Sequence, residues 1–228
     1  MKYRTDVTVD LIDAMASDDI IVKAARVSTG ASDNKDRDAG LINYLMRDRH
    51  GSPFEHAVFT FRIEAPIFVF REFMRHRMAS YNEESGRYKE LEPVFYVPGG
   101  KRNLIQIGKP GAYEFIPGTE EQHDLVVESI ISASKEAYNR YESMLAAGIA
   151  REVARVVLPV NIYSSMYVTM NARSLMNFLS LRTKDDNSAF PSFPQREIEM
   201  VAEKMEAIFS GWMPATHASF VKNRRVAP

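Results

Sequence analysis

Two spacings of hydrophobic residues along the chain predict a mixture of strands and helices. Phe59, Phe61 and Ile63 alternate with polar residues, as in a half-buried strand, and residues 7–11 alternate in the same way. After residue 119 the pattern predicts mostly helix. This order of elements predicts an α+β fold, in which a small, mostly antiparallel sheet packs against long helices in a single domain, residues 1–228.

Capping and turn residues mark several helix boundaries. Ser17 precedes two aspartates, an arrangement that predicts the start of a helix. Thr119–Gln122 matches a capping box and predicts a helix that runs to about Ala147. Pro66 is suited to the first turn of a helix that leads directly into a polar run.

Other segments are less regular. Ser28–Asp38 is polar and predicts a loop, followed by a helix over about Asp36–Arg49. Pro93–Gly118 is rich in glycine and proline, and we expect a long ordered loop with short extended pieces. Asn161–Met170 fits either a strand or a buried helix, and a helix is favoured. Gly211–Pro228 is expected to be a tail, with a last helical turn near Ala215–Val221.

Composition and charge narrow the classes of function. The chain has 228 residues, 45% hydrophobic and 26% charged, as expected of a globular protein with a sizeable core. Its formal net charge of −1 argues against nucleic acid or a membrane as a partner. No apolar run approaches the roughly 20 residues that span a bilayer, and the N-terminal sequence lacks a signal-peptide pattern, so a cytoplasmic protein is expected. The absence of cysteine excludes thiolate metal sites and a cysteine nucleophile.

One stretch, Arg71–Tyr88, concentrates ionisable and hydrogen-bonding side chains. It contains four arginines, one histidine, three glutamates, two serines and an asparagine. Two of the arginines, Arg75 and Arg77, flank the histidine, and arginine is suited to bidentate bonds with phosphate. A charged helix end would explain the cations alone. The density of hydroxyl and amide groups beside them favours a site for an anionic ligand.

Two further groups could contribute to such a site. Arg151 and Arg155 are four residues apart and share a helix face, although an ordinary surface is the better explanation of this pair alone. Asn177 stands among four apolar residues, so we expect it to be buried and to have a partner, because an unpaired buried amide would be costly. Arg182 ends the same predicted helix, where a cation also offsets the helix dipole.

The histidines do not predict a metal site. The spacing of His50 and His56 crosses a proline and matches no zinc motif, and His123 and His217 are isolated. We therefore expect no protein-bound metal. The basic residues Lys222–Arg225 are expected to lie in a solvated tail.

The fixed positions of the polar stretch resemble a family pattern. Arg75-His76-Arg77 with Ser80, Asn82, Ser85 and Arg87 is similar to the RHRxxSxNxxSxR pattern of flavin-dependent thymidylate synthases. The turn His50–His56 and the segments REVARVVLP and NARSLMNFLSLR resemble the same family. The resemblance implies an enzyme that converts dUMP to dTMP, with 5,10-methylenetetrahydrofolate as carbon donor and FAD reduced by NADPH as hydride source.

The same resemblance implies which residues bind the flavin. The matching cofactor positions are His50, Ser52, Arg75, His76, Arg77, Glu83, Asn171, Arg173 and Asn177. A flavin would also give Asn177 the partner that its apolar neighbours demand. Because reduced flavin supplies a hydride, such an enzyme needs no cysteine thiolate, which agrees with the composition.

A second set of matching positions is implied to bind dUMP. The set is Glu72, Phe73, Met74, Arg75, Glu83, Glu84, Ser85, Gly86, Arg87, Arg155 and Arg182. Glu72 departs from the relatives that carry glutamine there. Ser85 has no evident activating base, so it is assigned to nucleotide binding rather than to nucleophilic attack. Arg182 is the implied catalytic residue, because a cation beside the uracil would favour the electron-rich, N3-deprotonated ring.

The family resemblance also implies a homotetramer with active sites where subunits meet, and small-molecule partners only. Three other readings remain open. The arginines could bind the phosphates of a nucleic acid while Tyr81, Tyr88 or Tyr96 stack on bases, although the near-neutral charge disfavours this. The chain could be a structural oligomer whose arginines form interface ion pairs. It could also be a flavoprotein that acts on another pyrimidine nucleotide.

Overall fold

The computed structural model of the protein describes residues 1–30, 35–109 and 112–228. The strands β1–β8 are Lys2–Arg4, Thr8–Met15, Val58–Pro66, Ser80–Glu83, Val94–Tyr96, Ile105–Lys109, Ala112–Ile116 and Tyr163–Asn171. The helices α1–α8 are Asp18–Val27, Asp38–Arg47, Ile67–Phe73, Glu120–Ala146, Arg151–Ala154, Ala172–Arg182, Arg196–Trp212 and Pro214–Lys222. Short 3-10 turns occur at Lys35–Arg37, Ser52–His56 and Arg155–Val157. The predicted α+β class is confirmed.

The chain forms two compact units, each drawn from three separate segments. The first unit contains residues 1–7, 64–72 and 83–166, and the second contains residues 8–63, 73–82 and 167–228. Three strands and one helix continue from one unit into the other along the chain. No change of composition in the sequence marks these boundaries, which is why the sequence predicted one domain. Within the described residues, no helix combines the length and the apolar character needed to cross a membrane.

The first unit is built around the long helix α4. Its N-terminus is the predicted capping box: Thr119 Oγ1 accepts from Gln122 N at 3.3 Å, and Gln122 Oε1 accepts from Thr119 N at 2.9 Å. The helix covers a buried cluster formed by Leu91, Phe95, Tyr138, Tyr141, Ala154 and Ile162. Strand β1 pairs parallel with β5, and β6 pairs antiparallel with β7.

A four-stranded sheet has the order β2-β3-β8-β4, and residues 8–15, 58–63, 80–82 and 167–171 of this sheet belong to the second unit. The predicted alternation in β3 is confirmed, because Phe59, Phe61 and Ile63 are fully buried. The Phe59 ring stacks on Phe61 at 5.8 Å between centroids and meets the edge of Phe209 of α7 at 6.0 Å. The Oγ1 atoms of Thr60 and Thr169 lie 3.0 Å apart across β3 and β8.

One prediction for the second half of the chain was wrong, and another was right only in part. The helix favoured for Asn161–Met170 is strand β8, Tyr163–Asn171. This strand lies between two others, and helix α6 follows it without a loop, so its residues were assigned to one continuous helix with the next segment. The helical turn predicted near Ala215–Val221 is present as helix α8, Pro214–Lys222, which is longer than predicted and whose first turn is capped from α1. The Asp18 carboxylate accepts from Ala215 N at 2.8 Å and Thr216 N at 2.9 Å.

Two loop predictions are refined by the structure. Helix α2 begins at Asp38, after the 3-10 turn, rather than at about Asp36. The predicted loop Ser28–Asp38 includes residues 31–34, which lie outside the described residues. The predicted loop Pro93–Gly118 contains β5 and the β6/β7 pair, and its residues 110–111 also lie outside the described residues.

Candidate active site

The polar stretch begins where helix α3 ends. The helix predicted at this point is confirmed, but Pro66 is the last residue of strand β3 and α3 begins one residue later, at Ile67. The chain after Phe73 folds back, because the Tyr81 hydroxyl donates to the carbonyl oxygens of Phe73 and His76 at 2.9 Å and 2.6 Å. This tie holds the RHR residues in a short turn whose two arginines, Arg75 and Arg77, are exposed.

His76 and Arg182 meet within the second unit, although 106 residues separate them in the chain. Arg182 Nε donates to His76 Nε2 at 3.0 Å. A histidine nitrogen can accept only when it carries no proton, so the imidazole proton lies on Nδ1. Burial, reinforced by the charge of Arg182, lowers the pKa of His76 from 6.5 to about 4. His76 is therefore a neutral anchor for the side chain of Arg182 at neutral pH.

Aromatic contacts fix the orientation of this imidazole. The edge of His76 meets Phe178 of α6 at 4.9 Å between ring centroids. Phe178 in turn stacks on Phe73 at 4.8 Å, with an angle of 16° between the ring planes. Both phenylalanines are fully buried. Helix α6 thus holds both the arginine and the ring that positions its histidine, and rotation of the imidazole would break packing on one side and a hydrogen bond on the other.

Replacement of His76 by glutamine should flatten the pH dependence of stability between pH 6.5 and about 4. In the wild type the unfolded state binds a proton in this range and the folded state does not. The free energy of unfolding should therefore fall as the pH decreases from 6.5 to about 4, by at most about 2 kcal/mol once screening of the half-buried ring is allowed for. Glutamine keeps an acceptor for Arg182 but does not titrate. Urea unfolding from pH 4 to pH 7 measures the difference.

The exposed His56 provides the matched control for this measurement. His56→Gln should keep the wild-type slope of stability against pH. Equal slopes for the wild type and His76→Gln would contradict a neutral, buried His76.

A second cluster in the second unit surrounds the start of α6. The Arg173 guanidinium donates from Nε to the Pro228 carbonyl oxygen and from NH1 to Glu55 Oε1, both at 2.6 Å. It lies directly over Gly51, where a Cβ atom would come within 2.6 Å of Arg173 Cζ. Ser52, the next residue, is exposed. The structure thus places two predicted cofactor residues, Ser52 and Arg173, beside the same turn.

Three other predicted cofactor residues have distinct surroundings in this unit. The His50 ring is exposed and lies 5.5 Å from the ring of Tyr44. Asn171 is the N-cap of α6, since its Oδ1 accepts from Ser174 N at 2.9 Å. The expectation that Asn177 is buried was wrong, because its side chain is exposed on α6. Its apolar neighbours in sequence point inward, while the helical repeat turns residue 177 outward.

A third cluster, in the first unit, surrounds Glu83. Burial raises the pKa of the Glu83 carboxyl group, although the nearby Ser164 hydroxyl group and the charges of Arg155 and Arg71 oppose this shift. Arg155 also packs on Gly86, where a Cβ atom would lie 3.3 Å from Arg155 Cδ. Three residues predicted to bind the nucleotide, Glu83, Gly86 and Arg155, are therefore neighbours.

Sequence reasoning missed two members of the Glu83 cluster. Ser164 is buried in strand β8, and nothing in its local pattern marks it. Arg71 lies in the polar stretch but outside the family pattern. The density of cations in that stretch was the only signal for Arg71.

Other predicted nucleotide residues already have partners in the first unit. Arg87 Nε donates to Glu152 Oε2 at 2.5 Å, with side chains 52% and 58% exposed, and Glu84 pairs with Lys89. Exposed ion pairs of this kind contribute only about 0–1 kcal/mol, so a phosphate could displace them at little cost. The Ser85 hydroxyl accepts from Arg87 N at 3.3 Å.

Residues 72–74 differ in exposure at the end of α3. Glu72 is partly buried, Phe73 is fully buried, and Met74 is 49% exposed. Because the Phe73 ring is occupied by its stack on Phe178, any contact between Phe73 and a nucleotide would come from its main chain.

The exposed cations of the second unit suit a ligand that carries phosphates. Arg75 and Arg77 are exposed, and neither forms an ion pair with any part of the chain that the structure describes. Guanidinium and hydroxyl groups of this kind bind a pyrophosphate. A metal is not needed to explain them: across residues 1–30, 35–109 and 112–228, no three His, Asp or Glu side chains cluster so as to hold one.

Comparison with known proteins gives these residues a family context. A family model described as thymidylate synthase complementing protein matches residues 10–215. A flavin-dependent thymidylate synthase of Tropheryma whipplei (strain TW08/27) is 61% identical over 232 residues, which cover 99% of this chain and 97% of that protein. A flavin-dependent thymidylate synthase of Streptomyces coelicolor is 59% identical over 236 residues, which cover 100% of this chain and 96% of that protein.

A solved structure is similar over the whole chain. The UMP/dUMP methylase PolB from Streptomyces cacaoi, bound with 5-Br UMP, has a TM-score of 0.95 and 53% sequence identity and covers 100% of both chains. The family model, the full-length relatives and the similar solved structure all agree with the family pattern at residues 75–87. The chain therefore belongs to the family of flavin-dependent thymidylate synthases.

Proposed function

We propose that the protein catalyses the reductive methylation of dUMP to dTMP. The methylene group comes from 5,10-methylenetetrahydrofolate, and the hydride comes from FAD that NADPH has reduced. The observation that carries this proposal is the identity of 61% over 99% of the chain with a flavin-dependent thymidylate synthase, together with all seven fixed positions of the family pattern. FAD, when bound, supplies the hydride chemistry that a chain without cysteine needs.

On the flavin side, the chain contributes charge and hydrogen-bond donors. The proposed contacts are His50, Ser52, Arg75, His76, Arg77, Glu83, Asn171, Arg173 and Asn177. Exposed guanidinium groups at Arg75, Arg77 and Arg173 support phosphate binding. The exposure of Asn177 leaves its amide accessible to a ligand. His76 would donate from Nδ1, because its Nε2 already accepts from Arg182.

On the nucleotide side, arginines would neutralise the phosphate and carboxylates would select the base and sugar. The proposed contacts are Glu72, Phe73, Met74, Arg75, Glu83, Glu84, Ser85, Gly86, Arg87, Arg155 and Arg182. The packing of Arg155 on Gly86 beside Glu83 supports a common role for these three. A glycine there lets the arginine approach the main chain closely.

Arg182 would act on the uracil ring. A cation held beside the ring stabilises negative charge that develops on it, and so favours the N3-deprotonated form. The bond from Arg182 Nε to a neutral imidazole fixes the plane of the guanidinium without cancelling its charge. Electrostatic stabilisation of this kind depends on a donor that is already in place before the reaction.

We also propose that the active enzyme is a homotetramer with active sites at subunit contacts. Four valines near α5 in the first unit are exposed, namely Val153, Val156, Val157 and Val160, and exposed apolar groups support an interface. Light scattering beside an activity assay tests this proposal. A monomer with full activity would contradict it.

The neighbouring UMP/dUMP methylase favours one alternative, in which UMP is also a substrate. One experiment separates the possibilities. The purified protein should show the visible absorption of bound FAD, dUMP should perturb that spectrum, and addition of NADPH and methylenetetrahydrofolate should yield dTMP. Methylation of UMP at a similar rate would support the alternative. A colourless protein that neither binds FAD nor forms dTMP would overturn the proposed function.

A further inference from the structure

The last six residues of the chain, Asn223–Pro228, lie along helix α6, and we call them the C-terminal strap. One end of the strap is anchored by Arg225, which is 6% exposed. Its guanidinium donates to both oxygens of Glu206 at 2.7 Å and 2.8 Å and to Thr183 Oγ1 at 2.6 Å. Thr183 follows directly after α6, so this anchor reaches the C-terminal end of that helix.

The other end of the strap reaches the start of α6. The Pro228 carbonyl oxygen accepts from Arg173 Nε at 2.6 Å, and the Ala227 carbonyl oxygen accepts from Arg49 at 3.3 Å. Gly51 completes the arrangement, because a Cβ atom at this position would lie 2.6 Å from Arg173 Nε and 2.9 Å from the Pro228 oxygen. The Arg173 guanidinium therefore lies between Gly51 and the end of the C-terminal strap.

The backbone of the strap is held in an unusual conformation. Arg224 and Arg225 have φ angles of 58° and 57°, in the left-handed region that residues other than glycine rarely adopt. Two such residues in succession persist only where surrounding contacts impose them, and strain of this kind concentrates near functional sites. Here the buried Arg225 side chain imposes the bend that directs residues 226–228 toward Arg173.

We propose that the C-terminal strap is a positioning element of the flavin site, which sets the orientation of Arg173 through the Pro228 carbonyl group. This inference rests on the proposed function, since Arg173 is one of the proposed flavin contacts. Arginine carries five N–H donors. Nε and NH1 are held by Pro228 and Glu55, which leaves NH2 to present donors to a phosphate in a fixed direction.

Three variants test the proposal through the dissociation constant of FAD, measured by fluorescence titration. Gly51 has φ −74° and ψ −30°, so Gly51→Ala suits the backbone and adds a methyl group against both Arg173 and the Pro228 oxygen. A chain that stops at Val226 removes the acceptor and keeps the Arg225 anchor. Gly51→Ala and the shortened chain should both weaken FAD binding about tenfold, which is the effect of losing one hydrogen bond to a charged group. Gly40→Ala, in α2 with no atom within 4 Å of the new Cβ, should leave the constant unchanged.

A second measurement reports on Arg173 without flavin. The proton on Arg173 Nε, observed by NMR, should exchange slowly in the wild type and rapidly in the chain that stops at Val226. This readout also remains if Gly51→Ala fails to fold.

The outcomes separate the strap from the proposed function. A wild type that does not bind FAD overturns the proposed function. A wild type that binds FAD, with variants that bind it equally well, overturns the role of the strap alone. Variants that lose FAD affinity while the midpoint of thermal unfolding stays near that of the wild type support positioning rather than general stabilisation.

Discussion

Replacement of Arg182 by alanine should lower the rate constant for dTMP formation by about 10²–10³-fold, the range for loss of one group that stabilises charge in a transition state. Binding of FAD should change little, because the proposed flavin contacts at Arg75, Arg77 and Arg173 remain. The expected loss therefore appears in kcat and not in cofactor affinity. Steady-state kinetics together with a fluorescence titration of FAD measure the two effects separately.

Arg47 supplies a matched control for this substitution. Like Arg182 it lies in the last turn of a helix, but its side chain is 60% exposed and pairs with Asp48. Arg47→Ala should keep wild-type turnover. Arg182→Lys retains the charge without the Nε donor, and an intermediate rate is expected. Unaltered turnover in Arg182→Ala would contradict a catalytic role.

The same substitution has a consequence at His76. The charge of Arg182 contributes to the low pKa of this histidine, although burial is the larger cause. Loss of the arginine should therefore raise the pKa of His76 from about 4 without restoring the value of 6.5. An NMR titration of the imidazole detects this change. A constant pKa would show that the two groups are not coupled.

Replacement of Arg225 by methionine should reduce the free energy of unfolding by about 2–3 kcal/mol at pH 7. Removing one partner of a buried ion pair typically costs about 3–5 kcal/mol, because the other charge stays buried. The expected value is lower here because His217 still contacts Glu206, at 2.8 Å. Burial disfavours the Glu206 carboxylate, but hydrogen bonds from His217 and Arg225 prevail and lower its pKa to about 2.

The stabilisation that Arg225 provides should depend on pH, because it requires the ionised carboxylate of Glu206. In the wild type, Glu206 contributes fully to the free energy of unfolding above pH 4.5, and this contribution is lost as the pH falls toward about 2. Without Arg225 the carboxylate is easily protonated, so the curves of the wild type and Arg225→Met should converge in acid. Urea unfolding at pH 7 and pH 3 measures this.

The neighbouring Arg224 is the control for the Arg225 prediction. It also has a positive φ but is exposed, and its contact with the Ser188 carbonyl oxygen is long, at 3.4 Å. Arg224→Met should change stability by less than about 0.5 kcal/mol. Combining Glu206→Gln with Arg225→Met should recover part of the lost free energy of unfolding. Equal losses for Arg224→Met and Arg225→Met would refute the buried ion pair as the cause.

The sequence alone determined the features that depend on residues close together in the chain. The Thr119 capping box, the alternation at residues 59–63 and the helix after Pro66 act over a few residues, so their signals are complete within a short window. The family pattern at residues 75–87 is equally local, and it indicated the family before any contact was known.

Only the tertiary structure decided which distant groups meet. The contact of His76 with Arg182, the pair of Arg225 with Glu206 and the cap that Asp18 provides for α8 join residues 106, 19 and 198 positions apart. Such contacts leave no periodicity in the sequence. The same reason explains why the sequence did not predict the burial of Arg225 or the cap of α8, since both depend on partners elsewhere in the chain. The local sequence supplies the side chains of the candidate site, whereas long-range packing sets their protonation states and orientations.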